Sequence, residues 1–142
     1  MPENNKTQEF LLKLAPCIER GELDACVEEA ARLAQEMGVG AGELLELSTD
    51  RGMNGRYDFA YVMALAAEQG LEGKGKSRAY YNAGLAAQYL KKVEKAEQHY
   101  KQAIETEPNY AAAHYNYANL LKEQKRNEEA EQHYKQAIEA DP

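Results

Sequence analysis

Residues Gly70-Leu71-Glu72-Gly73-Lys74-Gly75-Lys76-Ser77 satisfy G-x-x-x-x-G-K-[ST], the pattern in which backbone N–H groups and a lysine cradle the phosphates of a nucleotide. That chemistry needs a buried strand before the loop and a further strand ending in an acid for Mg²⁺. The stretch before it, Tyr61–Gln69, is rich in Ala, Leu, Met and Glu, which favour helix. The octet therefore reads as a helix stop, a Gly-rich connection and an N-cap at Ser77, not as a nucleotide site. The three histidines are His99, His114 and His133. No two of them have the short helical spacing that would let them share a metal ion, and His114 is expected to be a packed core histidine. Cys17 and Cys26 are nine positions apart and outside any C-x-x-C pattern, so the expectation is two buried thiols in a reducing cytoplasm, with a redox pair as the alternative. Ser48, Thr49 and Ser77 have no His and Asp in a recognisable arrangement nearby. No enzyme, cofactor or metal is expected.

The elements that would hold these residues follow from a repeat. Glu-Gln-His-Tyr-Lys-Gln-Ala-Ile-Glu occurs at 97–105 and again at 131–139, and aligning 77–108 with 111–142 gives 16 identities in 32 positions. A fixed period of 34 residues marks stacked helical hairpins. In the second copy Ala113, Tyr117, Ala118, Leu120 and Leu121 form one apolar stripe at helical spacing. A turn follows at Lys125-Arg126-Asn127, with Asn127 as the expected N-cap. Ala130, Tyr134, Ala137 and Ile138 then supply the buried face of the next helix. In the first copy helices are expected from Ser77 to about Lys91 and over Glu94–Thr106, with Pro108 forcing a turn.

Residues 1–76 do not repeat this pattern in their side chains, but they read as helical. Leu23, Cys26, Val27, Ala30, Leu33, Ala34 and Met37 trace a 3.6-residue stripe ended by Gly38 and Gly40. Phe10, Leu11, Leu14 and Ile18 suggest an earlier helix that Pro16 bends or shortens. Glu43–Ser48 and Tyr57–Gln69 add two more, with 51–56 as a loop between them. The expected fold is all-α: a right-handed solenoid of antiparallel hairpins with about eight helices. Its parts are an acidic N-terminal region of degenerate hairpins (1–76) and two repeat units (77–110 and 111–142).

With these residues in view, 77–142 is identified as a member of the tetratricopeptide repeat family. The large ring at position 4 of each unit is Tyr80 and His114, and the apolar–small pair at 7 and 8 is Ala83-Gly84 and Tyr117-Ala118. Ala96 and Ala130 match the small residue at 20, Tyr100 and Tyr134 the ring at 24, Ala103 and Ala137 the small residue at 27, and Pro108 and Pro142 the proline at 32. The resemblance implies a concave groove lined by the first helix of each unit. Its lining residues here would be Arg78, Tyr81, Asn82, Leu85 and Tyr89, then Tyr115, Asn116, Asn119 and Lys122. Some members of the family grip a terminal carboxylate with lysine and asparagine at set positions. Asn116 fits one of them, but Tyr81 and Leu85 stand where the first lysine and asparagine would be.

The implied function is a non-catalytic adaptor that binds a protein or peptide segment in the groove. The alternative is a self-assembling scaffold, or a piece of a longer array, that uses an uncapped C-terminal edge as its interface and so forms homo-oligomers. Composition agrees with a protein partner. The net charge is −7, and residues 1–76 carry 8 Lys/Arg against 14 Asp/Glu, which disfavours nucleic acid or an anionic membrane as the main partner. The longest apolar run, Phe59–Ala67, is far short of a membrane span. A cytoplasmic location is the expectation.

Overall fold

The computed structural model describes residues 4–141, so Pro142, the second repeat's closing proline, lies outside the described residues. Eight helices are present among the described residues: α1 (Asn5–Glu19), α2 (Leu23–Met37), α3 (Ala41–Met53), α4 (Tyr57–Glu68), α5 (Gly73–Tyr89), α6 (Val93–Thr106), α7 (Ala111–Glu123) and α8 (Asn127–Ala140). They pair as four hairpins, and α4 packs on α2, α3 and α5, so the N-terminal pairs join the same stack. The protein is an all-α solenoid of packed helix hairpins.

One backbone device makes all four hairpins. Gly21, Gly55, Lys91 and Lys125 have φ of +83, +78, +64 and +63°, each two residues before the second helix of its pair. Their separations are 34, 36 and 34 residues, so the period persists through 1–76 although its side chains have drifted. In three of the turns the following N–H (Arg56, Lys92, Arg126) reaches back to the carbonyl of Arg51, Ala87 or Leu121, at 2.8, 2.8 and 2.9 Å. That bond closes a Schellman-type end and satisfies a carbonyl that the helix leaves open.

The extra two residues in the middle interval are absorbed at the start of α5, which begins at Gly73, ahead of the expected cap. Ser77 is therefore not an N-cap. It is fully buried inside α5 and its Oγ donates to the Ala103 carbonyl at 2.8 Å. The octet 70–77 is the short connection after α4 together with the first residues of α5, and no strand precedes it. Asn127 likewise lies inside α8, and Arg126 at the cap position makes no side-chain cap bond. Helix α3 continues through 51–53, which the sequence assigns to a loop, and α1 runs past Pro16 to Glu19.

Small residues let the helices approach. Ala83, Ala87, Ala96 and Ala103 are fully buried, and a Cβ on Gly84 would sit 2.9 Å from Cδ1 of the Tyr100 ring. The ring at this crossing fills the space that the missing side chain leaves. Tyr100 is itself fully buried and donates from its hydroxyl to Gln88 Oε1 at 2.6 Å. Ile138, expected on the buried face of α8, is 65% exposed. Its counterpart Ile104 is partly buried against the core, because α7 follows α6 in the stack and no described helix lies beyond α8.

The cysteines overturn the thiol reading. Cys17 of α1 and Cys26 of α2 form a disulfide with Cα atoms 5.9 Å apart. Nine residues of hairpin bring the two side chains face to face, a proximity that linear spacing did not reveal. The argument for a reducing compartment from cysteine chemistry falls with it, since persistent disulfides belong to oxidising surroundings. No helix of the described residues is long and apolar enough to cross a membrane.

Candidate functional site

Two clefts adjoin along the leading helices. The first, of about 300 Å³, lies between α3, α4 and α5 and is lined by Ser48, Thr49, Gly52, Met53, Tyr57, Ala60, Tyr81, Asn82, Leu85, Ala86 and Tyr89. The second, of about 620 Å³, lies between α5 and α7 and includes Gln88, Lys91, Asn116, Asn119, Lys122 and Glu123. Leu85 and Tyr89 line both, which makes one trough. Of the nine groove residues named from the sequence, seven line these two clefts. Arg78 instead reaches Thr49 Oγ1 at 3.3 Å. Tyr115 faces a third cleft of about 390 Å³ with Tyr134 and Ile138.

Sequence reasoning missed the α3–α4 wall, made by Thr49, Met53 and Tyr57. Tyr57 stacks on Tyr89 with ring centroids 4.5 Å apart and planes within 6°, forming a flat aromatic surface whose upper ring, Tyr89, is 57% exposed. Met53 is 83% exposed beside it. The available signal was Gly55, one period after Gly21, which would have placed α3 in register with α5.

The polar groups of the trough are largely engaged within the chain. Asn82 Nδ2 donates to Thr49 Oγ1 at 3.0 Å, joining α5 to α3. Asn116 Nδ2 donates to Tyr81 Oη at 2.9 Å and to the Ala112 carbonyl at 3.0 Å, joining α7 to α5. Both amide protons of Asn116 are thus committed, and only its carbonyl oxygen remains for a ligand. Thr49 donates to the Leu45 carbonyl at 3.1 Å, and Ser48 to the Ala60 carbonyl at 2.7 Å. Tyr81 packs against Tyr100 and Tyr110, and burial pushes its hydroxyl pKa up. Asn119 Oδ1 accepts from the Tyr134 hydroxyl.

Behind the trough, Glu97 of α6 accepts from Tyr117 at 2.7 Å and from Arg126 at 3.0 Å. The Arg126 guanidinium and the Tyr117 hydroxyl hold its carboxyl down at about 2, against the desolvation of its site. His114, buried as expected, lies 2.9 Å from His133 across the α7–α8 hairpin, Nδ1 to Nδ1. The pair escaped the search for histidines on one helix because its members are 19 residues apart. His114 Nε2 donates to the Pro108 carbonyl at 2.8 Å, and the two Nδ1 atoms share one proton between the rings. Burial, then the neighbouring His114, lowers the His133 pKa. Among the described residues no group of three His, Cys, Asp or Glu is placed to hold a metal ion.

Residues 86–142 match a family model described as tetratricopeptide repeat. The fold is similar to that of a MamA mutant, with a TM-score of 0.74 at 20% identity over 94% of this chain and 96% of that one. A pilF structure from Pseudomonas aeruginosa gives 0.67 at 17% identity over 96% of this chain and 77% of that one. A further crystal structure of MamA gives 0.66 at 19% identity, covering 96% and 78%. At these identities the likeness establishes the fold. No curated protein sequence matches the chain.

Proposed function

We propose, for a chain that carries tetratricopeptide repeats, that it is a non-catalytic platform mediating protein–protein contacts through its leading-helix trough. The observation that carries this reading is the continuity of the two clefts through Leu85 and Tyr89. An extended or helical segment of a partner could lie along α5 and reach both, as in other helix-lined peptide grooves. Asn82 and Asn116 then act mainly as struts that fix the spacing of α3, α5 and α7, and a ligand's affinity comes from the aromatic and methionine surface. The test is affinity capture with the wild-type chain and with a Met53→Glu/Tyr89→Glu variant, checked for unchanged thermal stability. Both positions are exposed, so folding should be little affected. The specifically captured partner should fall at least about tenfold with the variant, the scale of losing one interface anchor. Equal capture by both would move the binding site elsewhere.

A second reading is favoured by a separate observation. At the α7–α8 end Tyr115 is 54% and Ile138 65% exposed, around a cleft whose other walls are Ala111, Ala112, Tyr134 and Ala137, with Asp141 at its edge. Apolar surface of this kind marks contact sites, and a second copy of the chain is the occupant we assign to it. Sedimentation over a concentration series should show reversible association that Ile138→Glu abolishes. A strict monomer at the highest concentration rejects self-assembly.

A further inference from the structure

The trough also indicates what kind of segment it takes. Resting on the groove reading above, we propose that the preferred ligand is a peptide with one large apolar side chain and, a few residues away, a carboxylate. The apolar side chain would enter between Met53, Tyr57 and Tyr89, and the carboxylate would be taken by Lys91 and Lys122.

The first half of the argument is the satisfaction of the α3–α5 cleft. Its Ser48 and Thr49 hydroxyls and an Asn82 amide N–H are already bonded inside the chain, at Ser48–Ala60, Thr49–Leu45 and Asn82–Thr49. A polar ligand group placed there would lose its water and find few partners, which costs more than it returns. An apolar group loses nothing of that kind. It meets instead the flat Tyr57–Tyr89 stack and the adaptable thioether of Met53. At about 300 Å³, the cleft lies at the small end of the range for ligand pockets and has room for one large side chain.

The second half is charge. The molecule carries −7 overall, yet the α5–α7 cleft contains two cations, Lys91 and Lys122, against one acid, Glu123. Among the exposed cations of the two repeats, Lys95, Lys101 and Lys135 pair with Asp24, Glu97 and Glu131, while Lys92 and Lys125, which line neither cleft, make no ion pair among the described residues. Lys91 and Lys122 make no ion pair among the described residues. Two exposed, unpaired ammonium groups in one cleft on an acidic protein favour a carboxylate at that point. Because Leu85 and Tyr89 belong to both clefts, the anchor and the acid must lie close in sequence, within about four residues at roughly 3.3 Å per extended residue.

Selection of displayed random dodecapeptides on the immobilised full chain tests this. The enriched pool should carry Phe, Leu or Met with Asp or Glu within about four positions. A synthetic peptide from the pool should bind at least tenfold more weakly to Lys91→Glu/Lys122→Glu, and similarly to Tyr89→Ser, with circular dichroism confirming that both variants fold. If the enriched peptides need Tyr89 but lack acids, or bind the double lysine variant undiminished, the ligand chemistry proposed here is wrong while the groove stands. If no enriched peptide depends on Tyr89, the groove reading fails as well.

Discussion

Replacing Tyr100 by alanine is expected to destabilise the protein by about 3–5 kcal/mol, the range for truncating a buried aromatic residue. The ring is fully buried against Gly84, and it also touches the rings of Tyr81 and Tyr117. It therefore joins three leading or trailing helices at one point, and the cavity left behind is bounded by helix backbone that cannot collapse into it. Tyr134 occupies the same place in the second repeat but is only partly buried, with its hydroxyl on Asn119. Tyr134→Ala should cost under about 2 kcal/mol, since less surface is removed from contact. Urea unfolding followed by circular dichroism compares the two. Equal losses would show that the repeat position, and not its burial, sets the stability.

The second large effect concerns the N-terminal hairpin. Breaking the Cys17–Cys26 link is expected to lower stability by about 2–3 kcal/mol, the scale for releasing a short closed loop in the unfolded chain. Cys17→Ala/Cys26→Ala is the suitable variant, because both side chains are buried and serine hydroxyls would need partners there. The wild-type protein in dithiothreitol should shift to the variant's urea midpoint, and the variant should ignore the reductant. A wild-type midpoint indifferent to reductant would mean that the bond does not form. Amide exchange should then locate the loss in α1 and α2.

The repeat made α5 to α8 legible because two copies agree at the positions that pack, and the groove residues on α5 and α7 followed from that register. The N-terminal half kept the backbone and changed the side chains. Ser48 stands twelve residues before Ala60 as Gly84 does before Ala96, and Gly55 turns where Lys91 turns, but of these three corresponding pairs only Ala60 and Ala96 are identical. The two-residue slip between Gly55 and Lys91 hid the correspondence further, and with it Met53 and Tyr57. Contacts between hairpin partners were illegible for a different reason. The disulfide and the His114–His133 bond join residues 9 and 19 apart on antiparallel helices, and periodicity along one helix cannot count across a turn.

The four turns differ in one respect that gives the molecule a direction. Glycine takes the left-handed conformation in the first two hairpins and lysine in the last two, where a side chain makes that conformation costly by about 1–2 kcal/mol. The covalent link lies at the glycine end. Helix α8, at the lysine end, buries only Ala130 and Ala137. Resistance to opening is therefore graded along the stack, and unravelling under heat or a protease should begin at α8 and advance toward α1.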